Sequence, residues 1–483
     1  MISSSSSNIP HLPALRLGRS YESLDQIEVK DCRTGAVRAV VSSVNAGIVR
    51  KDLRRIGDSR TALERFTVAE LIERARKAGE LFLNGTLPLG NRGHSQSPDD
   101  YTRTLSATSG LPHNMVRRNM EKIHAALIHS GSVLKGLSRG LDFTLLDRGE
   151  GEQDGVRQAW FPAAPALGLV MPSNSPAVNS LWLPAIPLKT PVVLKPGREE
   201  PWTPYRLIQA FIAAGVPAEA FGFYPTDHEG ASEIMRRCGR SLIFGDQATI
   251  ERYAGDPSVQ VHGPGWSKVL IGEDCIEDWP DFVDVMVRSI SENGGRSCIN
   301  ASAIVVPRYA REIAEALGRE LGPVTPLSAD DPAARLSAFA NPRMADYIDA
   351  QIEEGLKTPG ADEVTARFRE GPRQVIFEGA TYLRPTIIRA DSFDHPLAGR
   401  EFLCPYACVV EVPQAEMIER MGETLAVSAI TRNEAFQRRL LAAPNIERLN
   451  IGPVPTMKVS WDQPHEGNLF EFLWKRRPLE RGW

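Results

Sequence analysis

Between residues 166 and 306, short apolar segments alternate with helical segments, and this alternation restricts the possible folds more than any other feature of the chain. A strand, helix, strand order predicts a parallel sheet with crossover helices. The alternation runs through two successive units. We therefore expect two α/β lobes with a boundary near residue 270, and ligand binding at the carboxyl ends of their strands.

The apolar runs and helical periodicities give approximate bounds for these elements. The predicted strands are 166–171, 191–194, 221–224, 241–244, 268–271, 301–306, 375–377, 386–388 and 407–412. The predicted helices are 63–83, one within 99–127, one that opens at Thr203-Pro204, 229–237, 278–290 and 311–321. The first 130 residues are therefore predicted to be mostly helical. Residues 140–160 read as a two-stranded excursion, and the apolar tail from 455 onward is expected to dock on the rest of the molecule.

Composition excludes several classes of protein. The net charge of −4 over 483 residues argues against a nucleic-acid partner or an anionic membrane. The six cysteines are scattered and have no zinc-ligand spacing, so we expect no disulfide framework, no metal and a reduced, cytoplasmic protein. The first residues contain neither a basic n-region nor an apolar run, so we do not expect them to act as a secretory signal. Residues 158–188 carry no charge, but their prolines exclude a membrane-spanning helix.

Cys298 is the leading candidate for a reactive residue. It follows Gly294 and Gly295, which allow a sharp turn and a close approach to a ligand, and Asn293 and Asn300 flank it. Such a cysteine can attack a carbonyl carbon. Taken alone, it could equally be a buried and inert thiol.

Three further segments carry polar residues just past predicted strands. Lys195 could hold ribose hydroxyls or a phosphate, or be an ordinary surface lysine. Asn174, between two prolines, could donate to an oxyanion or simply form a turn. Gly245-Asp246, with Thr249 nearby, ends the strand 241–244 where a helix could open beside a phosphate.

Together and in this order, these segments resemble the aldehyde dehydrogenase superfamily from about residue 140 to the end. The segments that carry the resemblance are Met171-Pro-Ser-Asn-Ser-Pro176, Val193-Leu-Lys-Pro196, Ala214-Gly-Val-Pro217, Phe244-Gly245, Asn293-Gly-Gly-Arg-Ser-Cys298 and His395-Pro-Leu-Ala-Gly-Arg-Glu-Phe-Leu-Cys-Pro405. The resemblance implies a Rossmann-like cofactor lobe, an α/β catalytic lobe and a bridging β-hairpin that makes homodimers or homotetramers.

The resemblance also implies roles for individual residues. Cys298, as a thiolate, would attack the carbonyl carbon, and Asn174 with the backbone N–H of Cys298 would stabilise the oxyanion. Lys195 would bind a ribose of NAD or NADP, and Glu401 the ribose beside the nicotinamide. The full set of expected cofactor contacts is Met171, Pro172, Ser173, Lys195, Arg198, Gly245, Asp246, Thr249, Glu401 and Leu403.

The chain departs from the family pattern where the general base should be. Pro264 takes the position of the family's glutamate, and His262 is the nearest titratable substitute. Family members that exchange acyl groups with coenzyme A commonly lack that glutamate. Residues 105–127 resemble the helical region of the acyl-CoA reductases that supply fatty aldehydes to bacterial luciferase, which favours acyl exchange and coenzyme A as a co-substrate.

Other departures concern the cofactor. Arg198 stands where many NAD-using relatives have glutamate, which favours tolerance of the NADP phosphate, although Arg198 could instead pair with Glu199. Ile250 replaces an expected glycine, Leu403 an expected phenylalanine against the nicotinamide, and Cys404 a glycine. These changes bring the affinity and pose of the cofactor into question.

The expected organisation is a flexible tail over 1–15, a cofactor-binding domain over 16–139 and 161–269, a bridging hairpin over 140–160, a catalytic domain over 270–454 and a docking or oligomerisation segment over 455–483. The leading hypothesis is an NAD(P)-dependent oxidoreductase that acts on an aldehyde or acyl thioester through Cys298, with acyl-CoA reduction favoured. One alternative is a hydrolytic aldehyde dehydrogenase with His262 as base. The other is a non-catalytic family member that serves as a binding or structural subunit.

Overall fold

The computed structural model describes residues 9–482, and the first eight residues of the predicted flexible tail lie outside this range. The rest of that segment is not a tail, because it contains two short strands. The N-terminal region has five strands: β1 (His11–Leu12), β2 (Ala14–Arg16), β3 (Arg19–Tyr21), β4 (Gln26–Lys30) and β5 (Val37–Ser42). The prediction of a mostly helical N-terminus is therefore wrong for these residues, since strands this short leave little periodic signal.

Helices dominate the chain from residue 46 to residue 148. The elements are α1 (Ala46–Leu53), α2 (Ile56–Glu64), α3 (Val68–Asn84), β6 (Leu87–Leu89), β7 (His94–Gln96), α4 (Pro98–Ser109), α5 (His113–Ile128), α6 (Ser130–Leu137) and α7 (Thr144–Arg148), followed by the hairpin strands β8 (Glu150–Gln153) and β9 (Val156–Pro162). Helix α3 begins at a reciprocal capping box between Thr67 and Glu70. Helix α5 buries Val116, Met120 and Ile123 as its periodicity predicts.

The first large sheet has seven strands in the order β14-β13-β10-β11-β12-β2-β3. Its new elements are β10 (Ala166–Val170), β11 (Val192–Lys195), α8 (Trp202–Ala213), β12 (Phe221–Phe223), α9 (His228–Cys238), β13 (Gly239–Phe244), α10 (Gln247–Tyr253) and β14 (Val259–His262). Strands β10 to β14 are parallel to one another, whereas β2 joins antiparallel to β12. The predicted parallel sheet with crossover helices is confirmed.

One detail of α8 is wrong in the prediction. The helix opens at Trp202 rather than at a Thr203 cap. The carboxylate of Glu200 accepts the backbone N–H of Thr203 at 2.8 Å and the Thr203 hydroxyl at 2.6 Å. A buried acid therefore satisfies the helix start, because the first N–H groups of a helix have no intrahelical acceptor.

The second large sheet also has seven strands, in the order β17-β20-β21-β16-β15-β22-β23. The elements of this region are β15 (Ser267–Ile271), α11 (Val283–Ser291), β16 (Ala301–Val306), α12 (Ala310–Leu321), α13 (Pro342–Leu356), β17 (Ala361–Glu363), β18 (Gln374–Phe377), β19 (Ala380–Leu383), β20 (Thr386–Ala390), β21 (Tyr406–Glu411), α14 (Met417–Arg420), β22 (Thr424–Ile430), α15 (Glu434–Leu441) and β23 (Ile446–Ile451). Only β17 runs antiparallel to its neighbour. Strand β18 pairs with β19 in a separate hairpin. Because β15 belongs to this sheet, the two sheets divide between His262 and Ser267, slightly before the predicted boundary.

The C-terminal segment returns to the first lobe. Helix α16 (Leu469–Leu473) buries Leu469, Phe470 and Leu473 in the core of that lobe. The last strand, β24 (Trp474–Arg477), pairs antiparallel with β9, so that β8, β9 and β24 form a three-stranded sheet. Within residues 9–482, no helix combines the length and apolar character needed to cross a membrane.

Candidate active site

The register of the first sheet brings the expected cofactor residues of this lobe to one edge. Val170 at the end of β10 lies opposite Lys195 on one side and Ile243 on the other. On the next strand, Phe244 lies opposite His262. The segments that follow β10, β11, β13 and β14 therefore emerge side by side, as a parallel sheet requires.

The turn after β10 packs on the turn after β11. The Met171 N–H donates to the Lys195 carbonyl at 2.9 Å, and the Ser173 hydroxyl accepts the N–H of Glu199 at 3.3 Å. A side chain at Gly197 would collide with Pro172, so this contact requires glycine. Burial lowers the pKa of Lys195, while Glu199 and Asp227 act in the opposite direction. Lys195 is partly buried at the strand edge, whereas the Met171 side chain is in the core.

The segment after β13 differs from the expected phosphate site. Asp246 caps α10, and its Oδ1 accepts the Thr249 N–H at 3.0 Å and the Thr249 hydroxyl at 2.9 Å. These hydrogen bonds, that of the Thr249 N–H first, hold the pKa of Asp246 below its usual range. The helix therefore opens against a carboxylate of its own chain. Ile250 packs on Gly263, in space that a side chain there would need.

Arg198 lies apart from these contacts. Its exposed side chain lines an open cleft together with Glu28, Lys30, Glu199 and Thr108. The cleft has both signs of charge. The predicted contact of Arg198 with a 2′-phosphate stays a prediction.

The loop that carries Cys298 has left-handed backbone at Asn293, Gly294 and Gly295, with φ of 56°, 67° and 69°. Side chains at the two glycines would overlap Ser337 and the Cys404 backbone. The sharp turn expected from these glycines is therefore present. The close approach that Gly295 allows is to the protein's own backbone at Cys404, whereas the sequence predicts an approach to a ligand.

Hydrogen bonds to the first lobe hold this loop. Asn119 on α5 donates to Asn293 Oδ1 at 2.8 Å, and the Asn119 oxygen accepts the Ser175 hydroxyl at 3.2 Å. Arg296 is buried and donates to the Ser109 carbonyl at 2.7 Å and to the Ala338 carbonyl. Sequence reasoning missed Asn119, because no local pattern distinguishes it from other polar helix residues.

Asn174 lies against the Cys298 loop. One N–H of its amide donates to the Arg296 carbonyl at 2.8 Å, two residues before the cysteine. Its second N–H has no acceptor assigned among the described residues, and its Oδ1 is buried there without a partner. The amide is thus close to the cysteine and has one donor available for an oxyanion.

Cys298 is partly buried and packs against an apolar cluster formed by Ile299, Leu425, Ala426 and Met457. Burial raises the pKa of its thiol well above the usual value, and the carboxylates of Glu466 and Glu401 raise it further. The resting residue is therefore a thiol. A thiolate would need a base or a bound ligand to form, contrary to the expectation of a low-pKa cysteine.

The loop between the two sheets contacts both Cys298 and Glu401. The Ser267 hydroxyl donates to the Cys298 carbonyl at 2.8 Å, and the Trp266 N–H donates to Glu401 Oε2 at 2.6 Å. Trp266 has a φ of 42°, a strained value for a bulky residue. Burial raises the pKa of Glu401 to about 7. Burial also lowers the pKa of Lys268, which donates to the Trp266 carbonyl, to about 7.

His262 has a partner that the sequence did not reveal. Its Nδ1 hydrogen-bonds the Glu466 carboxylate, 204 residues away, and its ring stacks on Phe244 at 4.6 Å between centroids. Burial acts to raise the pKa of Glu466, but His262 holds it below the usual value. Glu466 belongs to a short polar stretch, residues 462–468, between apolar parts of the C-terminal segment. That polar stretch is the only sequence signal for it.

Comparison with known proteins identifies the family. The model of the aldehyde dehydrogenase family matches residues 145–446. This chain belongs to the aldehyde dehydrogenase family. It is 25% identical over 289 residues to an aminoacetaldehyde dehydrogenase of Pseudomonas aeruginosa, covering 57% of this chain and 56% of that protein. It is 28% identical over 243 residues to a 2-hydroxymuconic semialdehyde dehydrogenase of Pseudomonas sp. (strain CF600), covering 46% and 47%.

The chain spans about half the length of the sequence relatives it matches, whereas solved structures match it almost throughout. An NADP dependent enzyme of E. coli has a TM-score of 0.76 at 17% identity, covering 98% of this chain and 100% of that one. An aldehyde dehydrogenase from Bacillus cereus, solved as an NAD+ complex, has a TM-score of 0.75 at 16% identity, covering 97% and 96%. At these identities, the likeness establishes a shared fold.

The described part of the chain contains no group of three or more His, Cys, Asp or Glu side chains arranged to hold a metal ion.

Leu403, the predicted neighbour of the nicotinamide, is 38% exposed and thus open to a ligand.

Proposed function

We propose that this protein is an NAD(P)-dependent oxidoreductase that acts on an aldehyde or acyl thioester through a covalent adduct on Cys298. The observation that carries the proposal is the contact of Asn174 with the Cys298 loop. Through it, an amide of the first lobe contacts the loop of the second lobe that carries the cysteine. This is the pairing that a nucleophile and its oxyanion donor require.

Formation of the adduct follows from the thiol state of Cys298. The sulfur attacks the carbonyl carbon and gives up its proton to solvent as the bond forms, because its raised pKa keeps it a thiol beforehand. The oxygen becomes negatively charged and accepts hydrogen bonds from Asn174 and from the Cys298 N–H. Preorganised donors of this kind contribute about 3–4 kcal/mol each to transition-state stabilisation.

Residues from both lobes fit a nicotinamide dinucleotide by their chemistry. Lys195 and Glu401 can bind ribose hydroxyls, and the exposed Leu403 offers an apolar contact to a ring. Glu401 would have to exchange its hydrogen bond with Trp266 for one with the ribose. When bound, NAD(P) would supply the acceptor or donor of a hydride. Asp246 requires the phosphates to lie away from the start of α10.

Two acceptors of the acyl group are supported by different observations. Pro264, in place of the family's glutamate, favours exchange with coenzyme A, as the sequence suggests. The hydrogen bond between His262 and Glu466 favours water, because it supplies a base oriented by a carboxylate. We give water the greater weight, since this pair is a specific feature of the structure.

The test is a turnover screen that follows NAD(P)H absorbance with both nucleotides, with and without coenzyme A, across short and long aldehydes. We expect turnover without coenzyme A and none in Cys298→Ser. A strict requirement for coenzyme A would restore the acyl-CoA reductase hypothesis. No turnover under any condition would favour the non-catalytic subunit.

A further inference from the structure

A small cavity of about 40 Å³, enough for ordered water, lies behind His262, between α5, α6, the segment 180–184 and the strands β13 and β14. Its walls are largely apolar, with Val133, Leu183 and Leu242 among them. Ser180 and His262 line the same cavity. It is therefore a partly open, mainly apolar space with a few polar groups.

Two buried polar atoms in this lining have no partner within residues 9–482. They are His262 Nε2 and Ser180 Oγ, on side chains that are 5% and 3% exposed. Buried polar groups are nearly always hydrogen-bonded to protein or to ordered water. A water between these two atoms would accept from the serine hydroxyl and donate to the imidazole, because Glu466 fixes the other ring nitrogen as the donor.

A short segment, residues 262–265, connects the cavity to the loop that carries the nucleophile. His262 stands three residues before Gly265, whose backbone lies so close to the Cys298 carbonyl that a side chain there would overlap it. Glu466, the partner of His262, is near enough to raise the pKa of Cys298.

We propose that this cavity holds the water that hydrolyses the acyl group on Cys298, with His262 as its base and Glu466 as the positioning residue. The inference rests on the covalent step of the proposed function. The water oxygen bonds to the thioester carbonyl carbon and its proton passes to His262 Nε2. The carbon–sulfur bond then breaks, the sulfur takes a proton from solvent, and His262 releases its proton to solvent. The balance is one thioester and one water consumed, one carboxylic acid and one thiol formed.

The test uses the full chain and a p-nitrophenyl ester without nucleotide, so that acylation and deacylation are measured apart from hydride transfer. In His262→Ala, Glu466→Gln and Ser180→Ala, we expect one p-nitrophenol per chain at the wild-type rate. Subsequent turnover should be slowed about 100-fold in His262→Ala, at the lower end of general-base effects, and by smaller factors of about 30 and about 10 in Glu466→Gln and Ser180→Ala, which remove groups that only orient the base or the water. Hydroxylamine, a nucleophile that needs no base, should restore turnover in all three variants.

Ser138→Ala is the matched control, because Ser138 is also buried with an unpartnered hydroxyl among the described residues but lies outside this cavity. It should behave as wild type. Unchanged turnover in His262→Ala would overturn the proposal, and so would loss of the first p-nitrophenol in a variant that melts like wild type. If His262→Ala does not fold, His262→Gln replaces it.

The two proposals fail in different ways. Wild-type protein that turns over the ester but never forms NAD(P)H would refute the oxidoreductase and leave the water site intact. Wild-type protein that releases no p-nitrophenol would refute Cys298 as a nucleophile, and both proposals with it.

Discussion

The loop that carries Cys298 and the segment that follows β13 both combine glycine with polar side chains, yet they are stabilised in different ways. The Cys298 loop is tied to distant parts of the molecule, through Asn293 to Asn119 and through Arg296 to Ser109. The segment after β13 is tied to itself, through Asp246 and Thr249. Distant residues therefore stabilise the Cys298 loop, whereas the segment after β13 is stabilised by hydrogen bonds within itself.

This difference shows what a glycine motif predicts. Gly294 and Gly295 occupy left-handed backbone against other parts of the chain, so their conformation is required before any ligand arrives. Gly245 has no such backbone conformation, and the nearest atoms to a side chain there would belong to the Thr249 side chain. We therefore expect the nucleophile's loop to be preorganised and the cofactor edge to adjust on binding.

The largest expected effect comes from Cys298→Ser. Since a serine hydroxyl is a much weaker nucleophile than a cysteine sulfur, kcat should fall by about a thousandfold or more, which is roughly 4 kcal/mol in the barrier. NAD(P)H absorbance measures the loss, and an unchanged melting temperature shows that the loop is intact. Cys32→Ser, at another partly buried cysteine, is the control and should retain activity. Substantial turnover in Cys298→Ser would reduce the loop to a structural role.

The pair Gly295→Ala and Gly245→Ala tests the contrast in stability. Alanine at 295 must adopt a φ near 69° and displace the Cys404 backbone, which should cost about 3–5 kcal/mol. Alanine at 245 meets only a side chain, and should cost about 1–2 kcal/mol. Denaturant unfolding measures both free energies. Equal losses of unfolding free energy would show that the fold constrains the two glycines to the same degree.

The sequence predicted what depends on local patterns. The α/β alternation located β10, β11, β13, β15 and β16 to within a few residues, because each is a short apolar run between turn signals. The glycines before Cys298 predicted its sharp turn for the same reason. The five N-terminal strands were missed, because strands of two to six residues leave little periodic signal and because β2 pairs with β12, about 200 residues later in the chain.

The candidate site was only partly predictable. The order of the motifs predicted that Asn174 and Cys298 lie close together, and in the structure they belong to loops that contact each other. No local signal could pair His262 with Glu466 across 204 residues. The raised pKa of Cys298 was equally inaccessible, because it depends on burial and on two carboxylates from separate segments.

We expect the stability of the cofactor lobe to depend on pH through Glu200, the buried acid at the start of α8. Burial raises its pKa to about 8. Because the folded pKa exceeds the unfolded value, wild-type stability should fall as pH rises from about 4.5 to about 8. Glu200→Gln should lack this fall and gain on wild type by about 1.4 kcal/mol per pH unit, or about 3 kcal/mol between pH 5 and pH 7.

Urea unfolding at pH 5, 6 and 7 measures this gap for Glu200. Glu251→Gln, at an exposed position of α10, is the control and should parallel wild type at every pH. A gap between Glu200→Gln and wild type that stays constant over this range would mean that Glu200 is not neutral in the folded protein.

The smallest expected effect concerns Arg198 and the choice of nucleotide. If the cofactor edge adjusts on binding, the exposed Arg198 side chain can leave its cleft and contact the 2′-phosphate of NADP. Arg198→Gln should then lower the ratio of kcat/KM for NADP to that for NAD by about tenfold, roughly the 1.4 kcal/mol of one charge-assisted hydrogen bond. Arg252→Gln, at an exposed arginine of α10, should leave the ratio unchanged. An unchanged ratio in Arg198→Gln would show that the arginine stays in its cleft, and that this part of the cofactor edge is as fixed as the Cys298 loop.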